Sequence, residues 1–306
     1  MLAVSASDRI RDVMTTAPLT RDVVARFVAG ATQDDALRVT DELLGRGLLV
    51  TLDHLGEHTT DPEQASAVAE EYISLLGRLA EAGHARAGRA EVSVKPTAVG
   101  LGLAEHGEKT ARENITRIAT AAAAAGTTVT IDMEDHHLVE STVRLLHELR
   151  ADFPGLGCVI QSYLRRSEAD CAALSSAGSR VRLCKGAYDA PDEVAFTARR
   201  EVDLSYVRCM RALLTGAGYP MLATHDPRLI DIIQAQTVLA GRPVDSFEYQ
   251  MLYGIRPGEQ RRLANLGAKV RVYVPYGSDW YGYLTRRLVE RPANLTFFLR
   301  SLATRR

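Results

Sequence analysis

Through most of this chain, short apolar runs rich in Val, Ile and Leu alternate with amphipathic stretches of helical length. GLLVTLD (47–53) precedes PEQASAVAEEYISLLGRLAEAG, and AEVSVK (90–95) precedes EKTARENITRIATAAAAAG, whose final glycine stands where a helix C-terminus favours one. TVTIDM (128–133), GCVIQS (157–162), VRLCKG (181–186), PMLATH (220–225), DSFEYQ (245–250) and AKVRVYV (268–274) repeat the theme, each with a helical segment behind it. Behind PMLATH, Asp226 suits an N-cap and Pro227 the first helical turn. Eight such strand–helix units predict a (β/α)8 barrel. A doubly wound open sheet is the alternative, weakened because no GxGxxG turn follows the first strand. Residues 5–46 read as two or three helices, with Gly30 as a stop and Thr32 as the N-cap of the next. The expected organisation is an N-terminal helical segment (1–45) followed by an α/β barrel domain (46–306).

Composition narrows the classes of function. The 306 residues are 46% hydrophobic and 25% charged, ordinary for a globular protein, and a net charge of −1 offers no basic stripe for nucleic acid. Cys158, Cys171, Cys184 and Cys209 show no CxxC spacing and read as structural thiols in a reducing compartment. MLAVSASDRIRDVM lacks the apolar core of a signal peptide, and no apolar run reaches the ~20 residues of a spanning helix. The expectation is a cytoplasmic protein, or one that meets a membrane only at its surface.

A barrel of this kind carries its active site at the C-terminal ends of the strands. The predicted ends hold Lys95, then Asp132 with Glu134 and Asp135, Gln161, Arg182 with Lys185, Thr224 with His225, Glu248 with Gln250, and Arg271 with Tyr273. Each alone has a bland explanation, since a barrel mouth is wet; seven strands in succession make a pattern. Beyond the last strand, YLTRRLVERPAN (283–294) places Tyr283, Arg286, Arg287 and Glu290 on one helical face. In isolation that face reads as solvated, with an exposed ion pair. Following the eighth strand of such a barrel, it reads as a lid face turned toward the mouth. Lys95, Arg182, Lys185, Arg286 and Arg287 outnumber the facing carboxylates, which predicts an anionic ligand. No metal is expected: adjacent His136 and His137 in EDHH converge poorly on one ion. A Schiff-base mechanism at Lys95 or Lys185 stays open on these residues alone.

SVKPTAVG (93–100), IDMED (131–135), IQSYLRR (160–166), RLCKGAY (182–188), LATHD (222–226), EYQMLYG (248–254) and RVYVPYGSDWYGYLTRRLVE (271–290) together resemble the flavin-dependent proline dehydrogenase family. The resemblance implies a distorted (β/α)8 TIM barrel with FAD at the C-terminal strand ends and the last helix over the mouth. It implies oxidation of L-proline to Δ1-pyrroline-5-carboxylate by hydride transfer from C5 to flavin N5, with a quinone as the next acceptor. By the same resemblance Lys95, Arg286 and Arg287 hold the substrate carboxylate, and Tyr188, Leu252, Tyr273 and Tyr283 wall its ring. Asp132 organises the mouth, and Arg182 lies near flavin N5. Met133, Gln161, Lys185, Gly186, Ala187, Thr224 and His225 contact FAD, with Gly186 allowing close backbone approach. Glu290 would steady the arginine pair. The bulk of Tyr273 implies proline over hydroxyproline. Pro96 and Thr97 depart from the usual residues after the lysine. The chain ends soon after the last helix, so no aldehyde dehydrogenase module is expected, and a homo-oligomer stays open. Hydroxyproline dehydrogenase or another flavin amine oxidase on the same barrel is the rival enzyme; a catalytically dead binding barrel would be expected to lose Asp132 and Arg182.

Overall fold

The computed structural model describes residues 24–56 and 59–283. Eight strands run in chain order: β1 (Leu49–His54), β2 (Ala90–Val94), β3 (Val129–Ile131), β4 (Gly157–Gln161), β5 (Arg180–Cys184), β6 (Tyr219–Ala223), β7 (Glu248–Leu252) and β8 (Val270–Tyr276). Each pairs in parallel with the next, and β8 pairs with β1 from Leu49↔Arg271 to His54↔Tyr276, closing the barrel. The open-sheet alternative is thereby excluded. Helices α1 (Gln33–Gly45), α2 (Pro62–Glu81), α3 (Gly107–Ala124), α4 (Val139–Arg150), α5 (Ser167–Ala173), α6 (Arg199–Thr215), α7 (Pro227–Leu239) and α8 (Pro257–Asn265) surround it. Among the described residues, no helix is long and apolar enough to cross a membrane.

Local sequence accounts for the helix starts. Thr32 and Asp35 form a reciprocal capping box at the head of α1. Asp61 caps α2 ahead of Pro62, and Asp226 caps α7 ahead of Pro227, so in both the missing proline N–H falls where no helical partner exists. Strand residues alternate between two environments. Val50, Leu52, Val92, Val94 and Ile131 share one buried apolar cluster with Leu75, Leu76 and Leu79 of α2 and Ile115 and Ile118 of α3. The alternate positions point inward, which cross-barrel contacts demonstrate: Arg182 on β5 reaches Ser93 on β2 and Gln250 on β7.

Helix α1 bears on the path of the residues that follow β8. Its apolar face, Ala36, Val39 and Leu43, belongs to the main core, and it packs against both β1 and β8. That groove is the place a helix after β8 would occupy in a regular barrel. With the groove filled, residues 277–283 turn toward the C-terminal side of the barrel instead. Tyr283, at the start of the next helical turn, is buried with Phe27, Val28, Leu55 and Ile255. Leu55 and Ile255 follow β1 and β7, so this second cluster lies on the C-terminal side of the barrel. The N-terminal strap is tied there too, by Ala29 N–H to the Pro275 carbonyl and Gly277 N–H to the Gly30 carbonyl, each at 2.9 Å.

Candidate active site

The inward side chains form two charged layers. The lower one corrects an expectation. Glu248 opens β7, and Arg271 is the second residue of β8, so both sit at the floor of the barrel and not at its mouth. Arg271 Nε lies 2.7 Å from Glu248 Oε1, while its terminal nitrogens donate to the carbonyls of Val50 at 2.9 Å and Gly88 at 3.0 Å. Glu91 accepts from Arg180 at 2.7 Å and from Thr51 Oγ at 2.9 Å. Burial pushes the Glu91 carboxyl up, but the guanidiniums of Arg180, Arg271 and Arg182 outweigh it and hold the group at about 2. Burial likewise opposes the charge on Arg271, and Glu248 and Glu91 overcome it in raising its proton affinity.

Above this floor, Asp132 gathers three donors from three other strands. Its Oδ1 accepts from Ser93 Oγ and Arg182 Nη1, each at 2.7 Å, and its Oδ2 accepts from the Tyr273 hydroxyl at 2.9 Å. The Arg182 guanidinium also stands 5.2 Å from the Tyr273 ring centre, a cation–π contact. Burial, with Asp132 and Asp53 nearby, pushes the Tyr273 phenol well up, so it remains a donor. Arg182 Nε donates to Gln250 Oε1 at 2.5 Å. Its other terminal nitrogen, Nη2, is buried with no hydrogen-bond partner among the described residues.

Lys95 is brought to the same mouth, where its Nζ lies 2.6 Å from both oxygens of Asp53. Asp53 is the penultimate residue of β1 and is absent from the residues expected at the site. The legible signal is alternation: Glu91, Ser93 and Lys95 project from one face of β2, and Thr51 and Asp53 from the matching face of β1. The expected cationic excess is also corrected for the described residues. Lys95 is paired with Asp53, Arg182 with Asp132, and Lys185 with Asp203 at 2.5 Å and Asp226 at 3.2 Å. Arg286, Arg287 and Glu290 lie outside the described residues.

The rim is stitched strand to strand. The Gln161 amide donates to the carbonyls of Met133 at 3.1 Å and Glu134 at 2.8 Å, joining the ends of β4 and β3. Glu134 in turn accepts from the Thr97 N–H and hydroxyl. His225 Nε2 accepts from the Leu252 N–H at 2.9 Å, joining β6 to β7, and the Thr224 hydroxyl accepts from the Asp226 N–H at 3.1 Å. Gly186, Ala187 and Tyr188 form the loop behind β5, with Tyr188 half-buried. Gly186 has a reason of its own for lacking a side chain: φ is +102°, and a Cβ would sit 2.3 Å from the Tyr163 ring. Asp135, His136 and His137 each bring one ligand atom within 4.8 Å of the others, closer than adjacent histidines were expected to converge. His137 is largely exposed, and the His136–His137 rings stand 3.7 Å apart, centre to centre.

A closed parallel barrel with an interlocked set of charged side chains at its C-terminal mouth has the build of a barrel enzyme. A model of the proline dehydrogenase family matches residues 36–300. Proline dehydrogenase 1 of Bacillus subtilis (strain 168) is 38% identical over 283 residues, covering 92% of this chain and 91% of that protein. The proline dehydrogenase of Deinococcus radiodurans is 38% identical over the same length, with 92% and 90% covered. The chain belongs to the proline dehydrogenase family and is an oxidoreductase of that kind. Among solved structures, it resembles proline utilization A (PutA) from Bdellovibrio bacteriovorus, inactivated by N-propargylglycine, with a TM-score of 0.81 at 25% identity over 89% of this chain. PutA from Corynebacterium freiburgense shares the fold with a TM-score of 0.77 at 22% identity over 98% of the chain. This chain spans 33% and 35% of those two longer chains.

Proposed function

We propose that the chain oxidises L-proline to Δ1-pyrroline-5-carboxylate with FAD as the immediate acceptor, the two meeting at the C-terminal mouth of the barrel. The observation that carries this reading is Arg182, clamped by Asp132, Ser93 and Gln250 while its Nη2 stays buried without a partner among the described residues. An unsatisfied buried donor costs about 1–3 kcal/mol, and a ligand edge bearing acceptors relieves it. The edge of a flavin ring carries such acceptors and gains negative charge on reduction, so a fixed guanidinium suits it. Met133, Gln161, Lys185, Gly186, Ala187, Thr224 and His225 are the residues proposed to hold FAD. When bound, FAD supplies the two-electron acceptor for the hydride leaving proline C5, as the ring nitrogen gives up a proton to form the imine.

The chain's own contribution is binding and orientation. Lys95, oriented by Asp53, takes part of the substrate carboxylate, with Arg286 and Arg287 proposed for the rest and Glu290 to steady them. Tyr188, Leu252, Tyr273 and Tyr283 enclose the pyrrolidine ring. Asp132 fixes Arg182 and Tyr273 relative to each other, which is catalysis by positioning. Electrons then pass to a quinone, and the protein works in the cytoplasm in surface contact with a membrane that holds it. The test is turnover by purified protein with a soluble quinone, with the released cofactor identified. Losing the carboxylate contacts is worth about 2–4 kcal/mol, so kcat/KM for pyrrolidine should fall on the order of a hundredfold below that for proline. A protein that binds no FAD, or that treats pyrrolidine and proline alike, would overturn the reading.

A further inference from the structure

The side chain of Gln250 joins the two charged layers inside the barrel. Its Oε1 accepts from Arg182 Nε at 2.5 Å, and its Nε2 donates to Glu248 Oε1 at 2.6 Å. Gln250 is 3% exposed and Glu248 is fully buried. Glu248 is in turn held by Arg271, which is anchored to the carbonyls of Val50 and Gly88. A continuous line of hydrogen bonds therefore runs from the barrel floor through one neutral amide to the guanidinium at the mouth.

An amide suits this place for a specific reason. Glu248 and Arg182 are of opposite charge, in adjacent inward layers on β7 and β5, and an arginine is long and flexible enough to bend toward a buried carboxylate. The amide presents an acceptor upward and a donor downward, so each charged group is satisfied where it stands. Removing it leaves Arg182 Nε without an acceptor and Glu248 Oε1 without that donor. Both losses are relieved if Arg182 drops toward the floor, drawing away from the mouth the buried Nη2 that has no partner among the described residues.

We propose that Gln250 is a positioning residue for the reaction, an amide spacer that keeps Arg182 raised against the flavin and so favours flavin reduction. This rests on the reading of Arg182 as the residue beside the flavin. It does not require Gln250 to touch either ligand.

Gln250→Met keeps the bulk and removes both hydrogen bonds. Its flavin midpoint potential should fall by the equivalent of at least a tenfold change in the reduction equilibrium, about 30 mV for two electrons. Its kcat should fall by a similar factor, while KM for proline moves less than threefold. Gln250→Asn, one methylene too short to bridge both partners, should shift potential and kcat in the same direction, and it serves if the methionine variant does not fold. Gln250→Glu is the rescue. Two carboxyls at this separation share a proton, so the pair with Glu248 keeps the charge of the native pair and still offers Arg182 an acceptor. That variant should return both values to within threefold of the parent. Parent-like potentials in the methionine and asparagine variants overturn the proposal, as does a glutamate variant no better than the methionine one. If the parent protein itself holds no flavin, or a flavin that proline does not reduce, the reading of the site fails instead.

Discussion

Asp53 and Lys95 tie the stability of the barrel to the proposed carboxylate site in one ion pair. Asp53 is fully buried, and burial raises its proton affinity more than the Lys95 ammonium lowers it. Asp53→Asn removes the carboxylate that compensates the burial of Lys95, and breaking such a pair costs about 3 kcal/mol. The variant should therefore show a raised KM for proline, because no carboxylate on β1 then orients the Lys95 ammonium. A KM that matches the parent would contradict the role. Tyr273 tests the shape of the same mouth. Its ring is pinned by the bond to Asp132 and the stack on Arg182, so Tyr273→Ser should open room and raise the ratio of kcat/KM for 4-hydroxyproline to that for proline. An unchanged ratio would show that the ring does not set this preference.

At the scale of elements, the strap of residues 24–30 holds the mouth loops together. Gly254, behind β7, has φ +73°, and a Cβ there would sit 1.8 Å from the carbonyl oxygen of Arg26. Gly254→Ala should lower stability by about 2 kcal/mol or more, through left-handed strain and the displaced strap, as read from a urea transition. A midpoint equal to the parent's would mean that the strap yields freely. Much at this scale is legible in the amino-acid sequence alone. The eight alternating runs announce the barrel, and Thr32, Asp226 and Gly126 mark helix ends because capping is a local event. Depth inside the barrel is less legible. The seventh strand is expected at 245–250 and lies at Glu248–Leu252. With the strand starting three residues later and ending two later, Glu248 moves from the mouth to the floor. Asp53 is hard to single out because an acid closing an apolar run looks the same as a turn acid until a cation on the neighbouring strand is found opposite it.

For the whole molecule, an interior lined by ion pairs makes stability sensitive to acid. In the unfolded chain Glu91 takes up its proton near 4.5, and in the folded protein only near 2. The unfolded state therefore binds more protons between these values. The stabilisation from this group is fully present above about pH 4.5 and is lost as pH falls toward 2. Glu91→Gln should cost about 3 kcal/mol at neutral pH, because Arg180 and Arg271 lose a buried counter-charge. It should also flatten the acid limb of urea midpoint against pH. If the variant's curve runs parallel to the parent's down to acid pH, the floor pairs are not what limits acid stability. The identity of the family is legible from strand-end motifs, since those residues converge on one mouth of the barrel. The arrangement that satisfies them is not, because the bonds that gather Asp132 and Arg182 join positions far apart in the chain, such as the 141 residues separating Tyr273 from Asp132.

The central claim, that this mouth oxidises proline with a bound flavin, has a direct test in the visible spectrum of the purified protein under anaerobic conditions. The account predicts a yellow protein whose oxidised-flavin bands bleach on addition of L-proline alone, with Δ1-pyrroline-5-carboxylate formed in proportion to the flavin reduced. A flavin-loaded protein that keeps its bands at millimolar L-proline would contradict it.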